Sequence, residues 1–131
     1  MQGETNLAIL LKSMHPILNA GEYVFCTTNT IDQINPYSIV SFFKEKEGIT
    51  LILERKTADE LGLDYSFIAA WITLTVHSSL DAVGLTAAFS TAMAKENISC
   101  NIVAGYYHDH IFVPQNDAQK AMETLAKLSR Q

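Results

Sequence analysis

The stretch GYYHDHIFVP, residues 105–114, places two histidines around an aspartate where a strand begins. Successive strand residues point to opposite faces of a sheet, so His108 and His110 are predicted to share one face while Asp109 lies on the other. Together with His77, this pair could supply three nitrogen ligands to zinc. No cysteine or carboxylate cluster completes a tetrahedral set, so the sequence predicts no bound metal and no other cofactor.

A second polar segment, HSSLDAVG at residues 77–84, separates the strand-like AWITLTVH from a helical pattern. In a ferredoxin-like unit with strand order 4-1-3-2, this loop lies beside the GYYHD hairpin. Helix amides attract a carboxylate and an aspartate can receive an ammonium group, so this loop and the hairpin together suit a free amino acid or a related zwitterion. The side chains predicted to converge there are His77, Ser78, Ser79, Asp81, Tyr106, His108 and Asp109. The alternative is that Asp81 only caps the helix and Gly84 only allows the turn.

Catalytic patterns are weak in this sequence. The serines after His77 follow it directly in a strand, where neighbouring residues point apart and cannot form a nucleophile–base pair. No nucleophile elbow, phosphate loop or dinucleotide fingerprint occurs. The sequence therefore predicts a protein without enzymatic activity. The enzyme alternative is a small metal-dependent enzyme that uses His77, His108 and His110.

Hydrophobic periodicity predicts the elements that position these residues. Helical spacing occurs in TNLAILLKSM, GLTAAFSTAMAKEN and NDAQKAMETLAKL, the last with Asn116 as its cap. TADE predicts a short helical turn that is capped by Thr57 and ended by Gly62. Alternating or apolar runs predict strands in EYVFCTT, YSIVSFF, GITLILE, AWITLTVH, ISCNIVAGYY and DHIFVP.

The order helix–strand–strand–helix occurs twice along the chain, with YSIVSFF left unmatched in the first half. The first half lacks a leading strand and the second lacks a final one. We therefore expect an α+β protein of tandem ferredoxin-like units with antiparallel sheets, at residues 1–64 and 65–131. Strands such as 67–76 would be shared to complete both units.

Composition limits the partners. The 131 residues carry a net charge near −5 and have no basic stripe, which argues against nucleic-acid binding. No apolar run is long enough to cross a membrane. No export signal is recognised, and the two cysteines, Cys26 and Cys100, lie in strand-like runs, which favours a reducing cytoplasm. Open sheet edges favour a homodimer.

The segment LTVHSSLDAVGLTAAFSTAMAKENISCNIVAGYYHDHIFVP resembles the ACT-domain pattern of strand, D-x-x-G-L loop, helix and second strand. With FKEKEGITLIL and ADELGL, it is similar to a family of small bacterial tandem ACT-like proteins. More remotely, it is similar to aspartokinase regulatory regions and cytosolic arginine sensors. The resemblance implies a regulatory sensor of amino acids, and it places Ser79, Asp81, Val83, Gly84 and Leu85 in the ligand-facing loop and Asp109 as an acidic ligand contact. ACT units usually regulate an attached enzyme, and none is recognised here, so a structural or protein-interaction module that has lost its ligand is the other alternative.

Overall fold

The computed structural model of this chain describes residues 6–75 and 83–130. Its helices are α1 (Leu7–Ser13), α2 (Arg55–Leu61), α3 (Leu85–Lys95) and α4 (Ala118–Ser129), with short 3-10 helices at Pro36–Ser38 and Gln115–Asp117. Its strands are β1 (Pro16–Leu18), β2 (Tyr23–Thr28), β3 (Ile39–Lys44), β4 (Ile49–Glu54), β5 (Ile68–Leu74), β6 (Asn101–Ala104) and β7 (Asp109–Pro114). Every described helix is too short or too polar to span a bilayer.

The chain divides into two compact units. The inserted unit is made of residues 20–69, and the main unit is made of the described residues up to Asn19 and from Ala70 onward. Both are α+β units with antiparallel strand pairing, as the sequence predicted. The boundary predicted between residues 64 and 65 stays a prediction.

The inserted unit has the strand order of a ferredoxin-like fold. Its order is β3-β4-β2 followed by the first residues of β5, where Ile68 and Ala69 pair with Val24 and Tyr23. β4 is antiparallel to both of its neighbours. The loop at 29–35 and the following 3-10 helix stand where the first helix of a βαββαβ unit would be. Its core is formed by Val24, Cys26, Leu51, Leu53 and Ala58.

The main unit takes its fourth strand from the N-terminal part of the chain. β1 pairs antiparallel with β5, with Pro16 opposite Leu74 and Leu18 opposite Ile72, and the sheet order is β1-β5-β7-β6. This is the 4-1-3-2 order, with β1 supplying the final strand that the second half lacks. The prediction of tandem ferredoxin-like units that share strands is confirmed, because β5 pairs with β2 at one end and with β1 at the other.

The predicted pairing of the two sequence halves is wrong in two respects. α1 does not open the first repeat, because Leu10 and Met14 are each 1% exposed in the core of the main unit. In that core they join buried residues of α3 and α4, such as Phe89 and Leu125. YSIVSFF is likewise not an extra strand, since β3 is the second strand of the inserted unit. The apolar stripe of a helix predicts that one face is buried, but it does not identify the sheet against which that face packs. Tertiary packing decides which sheet the helix covers.

Two predicted helix caps are wrong, while one helix end is confirmed. α2 begins at Arg55, before Thr57, because β4 runs directly into it and the Arg55 N–H donates to the Glu22 carbonyl at 2.8 Å. Asn116 lies inside a 3-10 helix, and the residue that precedes α4 is Asp117, which makes no side-chain cap bond. Gly62 ends α2 in the left-handed conformation at φ 70°, as predicted.

Candidate functional site

The candidate site lies at the edge of the main unit where β5 ends and β7 begins. These two strands are hydrogen-bonded neighbours in the sheet. Thr75, just after β5, donates from its N–H and its hydroxyl to the His15 carbonyl at 3.0 and 2.7 Å. In a ferredoxin-like unit the turn that leads into the third strand lies at this same edge. We call this region, with Asp109 at its centre, the Asp109 edge.

Asp109 is the only charged residue that is buried among those that the structure describes, with 9% of its surface exposed. It shares the helix-covered face of β7 with Ile111 and Val113, which belong to the core. Burial raises the pKa of its carboxyl group, and the nearby His108 lowers it by a smaller amount. No described residue donates a hydrogen bond or forms an ion pair with its side chain. Burial of a carboxylate is costly, and a pKa raised in this way marks the position as a functional candidate.

The turn between β6 and β7 carries the other predicted contacts of this edge. The Gly105 N–H donates to the His108 carbonyl at 2.9 Å and closes the turn. Tyr106 is 66% exposed and packs edge-on against Tyr107, with 5.0 Å between the ring centroids. His108 lies in this turn and precedes β7, so the prediction that it belongs to a strand is wrong. Its Nδ1 atom is buried without a hydrogen-bond partner in the described parts of the chain.

α3 begins immediately after Gly84, which has a left-handed backbone at φ 96°. Gly84 has no side chain that could cap this helix start, and the first intrahelical bond runs from the Ala88 N–H to the Gly84 carbonyl at 2.9 Å. The amides of a first helical turn have no partners inside the helix. Leu85 is only 3% exposed in the core, so its side chain packs inside the unit and only its N–H can face a ligand. Val83 is largely exposed.

The remaining predicted contacts, His77, Ser78, Ser79 and Asp81, lie outside the described residues. The structure therefore groups Tyr106, His108 and Asp109 around one turn, and the convergence of the whole set stays a prediction. A separate groove of about 620 Å³ runs along α3 and α4 and includes Gly84. Neither Asp109 nor the β6–β7 turn lines it, so we treat it as distinct from the Asp109 edge.

His110 lies on the opposite sheet face from Asp109, as predicted. Its Nδ1 atom accepts a hydrogen bond from Trp71 Nε1 at 3.1 Å and lies 3.2 Å from Thr73 Oγ1. Asn19 donates from Nδ2 to the same Thr73 oxygen at 3.0 Å. Burial lowers the pKa of His110, and His108 lowers it further. Sequence reasoning missed these contacts, because no local pattern reports the register that brings the strands together.

The described residues do not support the zinc alternative. Residues 6–75 and 83–130 contain no group of three or more His, Cys, Asp or Glu side chains that could hold a metal ion. The Nδ1 atom of His110 accepts the Trp71 hydrogen bond, so this nitrogen is not available as a ligand. His77, the third histidine of the predicted set, lies outside the described residues.

The strand orders of the two units define a tandem of small ferredoxin-like α+β units. Family models described as ACT domain match residues 2–70 and 66–127. The chain belongs to the ACT domain family, whose members are typically regulatory ligand-binding modules. Among curated proteins, no sequence matches this chain.

Solved structures agree with this assignment. Protein VC0802 of Vibrio cholerae, described as of unknown function and a possible transport protein, is 49% identical, with a TM-score of 0.83 over 94% of this chain and 95% of that one. Protein Atu0741 of Agrobacterium tumefaciens is 15% identical, with a TM-score of 0.66 over 88% and 89%. The ligand-free regulatory subunit of aspartate kinase from Thermus thermophilus is 9% identical, with a TM-score of 0.59 over 86% and 95%. The last two similarities concern the fold alone.

Proposed function

We propose that this protein is a regulatory sensor without catalytic activity and that it binds a free amino acid at the Asp109 edge. The observation that carries the proposal is the buried Asp109 carboxyl group, which no described side chain neutralises. Tandem ACT units with the fold of an aspartate kinase regulatory subunit support the regulatory part. The proposed location is the cytoplasm, which the two unpaired cysteines favour.

Asp109 is proposed to receive the ammonium group of the ligand. Burial raises the pKa of Asp109 because the charged form has lost its water, and a bound cation would favour that charged form again. A charge-assisted hydrogen bond of this kind contributes about 1.5–3 kcal/mol. Removing the charge from Asp109 should therefore weaken an amino-acid ligand by about tenfold or more.

The start of α3 is proposed to receive the carboxylate of the ligand. Gly84 itself offers no side-chain cap, and the first-turn amides of a helix together with the helix dipole favour a negative group. The two charged ends of an amino acid would then meet complementary groups of the protein. The ligand contacts predicted for His77, Ser78, Ser79 and Asp81 belong to the same proposal.

A thermal-shift screen of the twenty amino acids against the parent chain tests this proposal. A ligand should raise the melting temperature of the parent and raise that of Asp109→Asn much less. Asp64→Asn, the same chemical change at an exposed position of the inserted unit, is the matched control and should respond like the parent. No stabilisation by any amino acid, or equal affinity in Asp109→Asn and the parent, would show that the ligand site is not here.

We also propose that the protein is a homodimer. β3 and β6 are the last strands on the described path of sheet pairing and each pairs with one neighbour, which leaves backbone groups available for another strand. Tyr37 and Phe43, at or near the β3 edge, are 98% and 72% exposed. Light scattering at micromolar concentration should give twice the mass of the chain, and a stable monomer would contradict the proposal.

A further inference from the structure

His110 occupies a fixed position on the sheet face opposite Asp109. Its ring lies 5.7 Å from the Trp71 ring, at an interplanar angle of 48°, and its Nδ1 atom is within hydrogen-bond distance of both Trp71 and Thr73. Trp71 and Thr73 are on β5, so the ring connects β7 to its neighbouring strand. One of the two ring nitrogens of His110 is therefore occupied by contacts with β5.

These hydrogen bonds define the protonation state of the ring. The indole N–H of Trp71 can only donate, so Nδ1 of His110 must accept and cannot carry a proton. Because Nδ1 then carries no proton, the Thr73 hydroxyl, which accepts from Asn19, can only donate toward Nδ1 and shares the one lone pair of this nitrogen with Trp71. His110 is thus neutral, with its proton on Nε2. A proton added at Nδ1 would oppose the Trp71 N–H and remove this bond.

The other side of the ring contacts the turn that precedes Asp109. A Cβ atom on Gly105 would lie 3.1 Å from His110 Nε2, 3.3 Å from Cδ2 and 2.8 Å from the His108 carbonyl oxygen. The Gly105 backbone therefore packs directly against the ring and the turn, with no space for a side chain. The Gly105 N–H also donates to the His108 carbonyl, so the ring packs against a hydrogen-bonded turn.

We propose that His110 is a positioning residue whose neutral ring holds the β6–β7 turn in place, and that protonation of this ring displaces the turn and lowers the affinity of the Asp109 edge for its ligand. The turn movement is a property of the free protein, and only the effect on affinity rests on the proposed function. The device makes ligand sensing dependent on pH below the ordinary titration range of imidazole.

The groups around His110 place this transition below the ordinary pKa of imidazole. Trp71 and Thr73 on β5, Asn19 beside them, and Val103 opposite on β6 carry no charge. Among the described residues, His108 is the titratable group that acts on His110, and its positive charge opposes a second one. Burial and this repulsion both lower the pKa of His110 below the ordinary imidazole value of about 6.5.

Trp71 is the only tryptophan of the chain, so its fluorescence reports this contact directly. Protonated imidazole quenches indole emission, and we expect the emission of the free parent protein to fall on acidification, with a midpoint below about pH 6.5. His110→Asn is the matched variant, because Asn Oδ1 occupies the position of Nδ1 and accepts the Trp71 bond but cannot titrate. This variant should lose the transition, whereas His108→Gln should keep it and move its midpoint upward.

Hydrogen exchange of the Gly105 amide, measured by NMR on the same proteins, tests the movement of the turn. The protection factor of this amide should fall through the fluorescence transition in the parent and stay constant in His110→Asn. A Trp71 transition that persists in His110→Asn, or a Gly105 protection factor that is the same on both sides of the transition, would overturn the proposal. Circular dichroism over the same pH range ensures that each protein remains folded.

The effect on ligand binding is measured last, with whichever amino acid the thermal-shift screen identifies. Across the Trp71 transition the parent should lose about tenfold more affinity than His110→Asn, a coupling of ordinary size between two sites. Any effect of Asp109 protonation occurs in both proteins and cancels in this comparison. Equal losses would refute the coupling, whereas a screen without any ligand would refute the proposed function and leave the fluorescence and exchange results to decide the role of His110.

Discussion

Leu10→Ala tests whether the N-terminal part of the chain builds the core of the main unit. Leu10 is 1% exposed on α1 and packs with buried residues of α3 and α4, far from it in sequence. Removing its side chain beyond Cβ should leave a cavity among Met14, Phe89 and Leu125. Alanine has the highest helix propensity, so the variant does not weaken α1 itself. The loss of stability should therefore report tertiary packing alone.

Buried Leu→Ala substitutions cost about 2–5 kcal/mol, and we expect about 3 kcal/mol for Leu10→Ala. An unfolding entropy of about 2.1 cal/mol/K per residue amounts to about 0.28 kcal/mol/K for the 131 residues of this chain. A loss of about 3 kcal/mol then lowers the melting temperature by about 11 °C, if the chain unfolds as one cooperative unit.

Urea unfolding and thermal melts followed by circular dichroism measure this effect. Ile9→Ala is the matched control, because Ile9 is the preceding residue of the same helix but is 52% exposed. It should change the free energy of unfolding by less than about 0.5 kcal/mol, as is usual for surface substitutions. If Leu10→Ala were no more destabilising than Ile9→Ala, α1 would not be part of the core.

Three further predictions concern the glycines, the cysteines and Asp109. Gly84→Ala should be more destabilising in urea unfolding than Gly62→Ala. Gly84 has φ 96° and an added Cβ would lie 3.2 Å from Leu7, whereas Gly62 has φ 70° and an added Cβ would meet no atom within 4 Å. An equal loss of stability in the two variants would contradict this prediction. Burial raises the pKa of the Cys100 thiol to about 11, so about one thiol in a thousand is ionised at a pH of about 8. In the Cys26→Ser variant, in which Cys100 is the remaining cysteine, a thiol reagent should therefore react slowly until urea unfolds the chain. The raised pKa of Asp109 means that the folded state binds the proton more tightly, so stability should fall as pH rises from the ordinary aspartate value through the raised one. Urea unfolding of the parent and Asp109→Asn over this pH range checks the sign, and a parent that gains stability relative to the variant would contradict it.

The elements that the sequence predicted correctly are those whose signals are local. Alternation in AWITLTVH corresponds to β5, in which Ile72 and Leu74 are buried and Thr73 is not. The apolar stripe Leu85, Phe89 and Met93 is the buried face of α3. The two wrong caps were also predicted from local patterns. Thr57 is not a cap because α2 begins at Arg55, directly after β4, and Asn116 is not a cap because it lies inside a 3-10 helix that precedes α4. Competition between neighbouring elements is a tertiary property even where each signal is local.

For the candidate site, the sequence by itself determined which face each residue of β7 occupies. The period of two in a strand separates Asp109 from His110 whatever the rest of the chain does. It also determined the left-handed helix end at Gly62, because only glycine takes that conformation at little cost.

Only the tertiary structure decided that β1 completes the main unit, that Asp109 is buried without a described partner, and that His110 accepts a bond from Trp71. Each of these facts depends on a contact between residues that are more than thirty positions apart or on the burial that such contacts produce. The free energy of a non-local contact includes the entropy of closing the chain between its ends and the packing of every element in between. No local pattern of residues contains these quantities, and for this reason the face of each side chain could be read from the sequence while its partner could not.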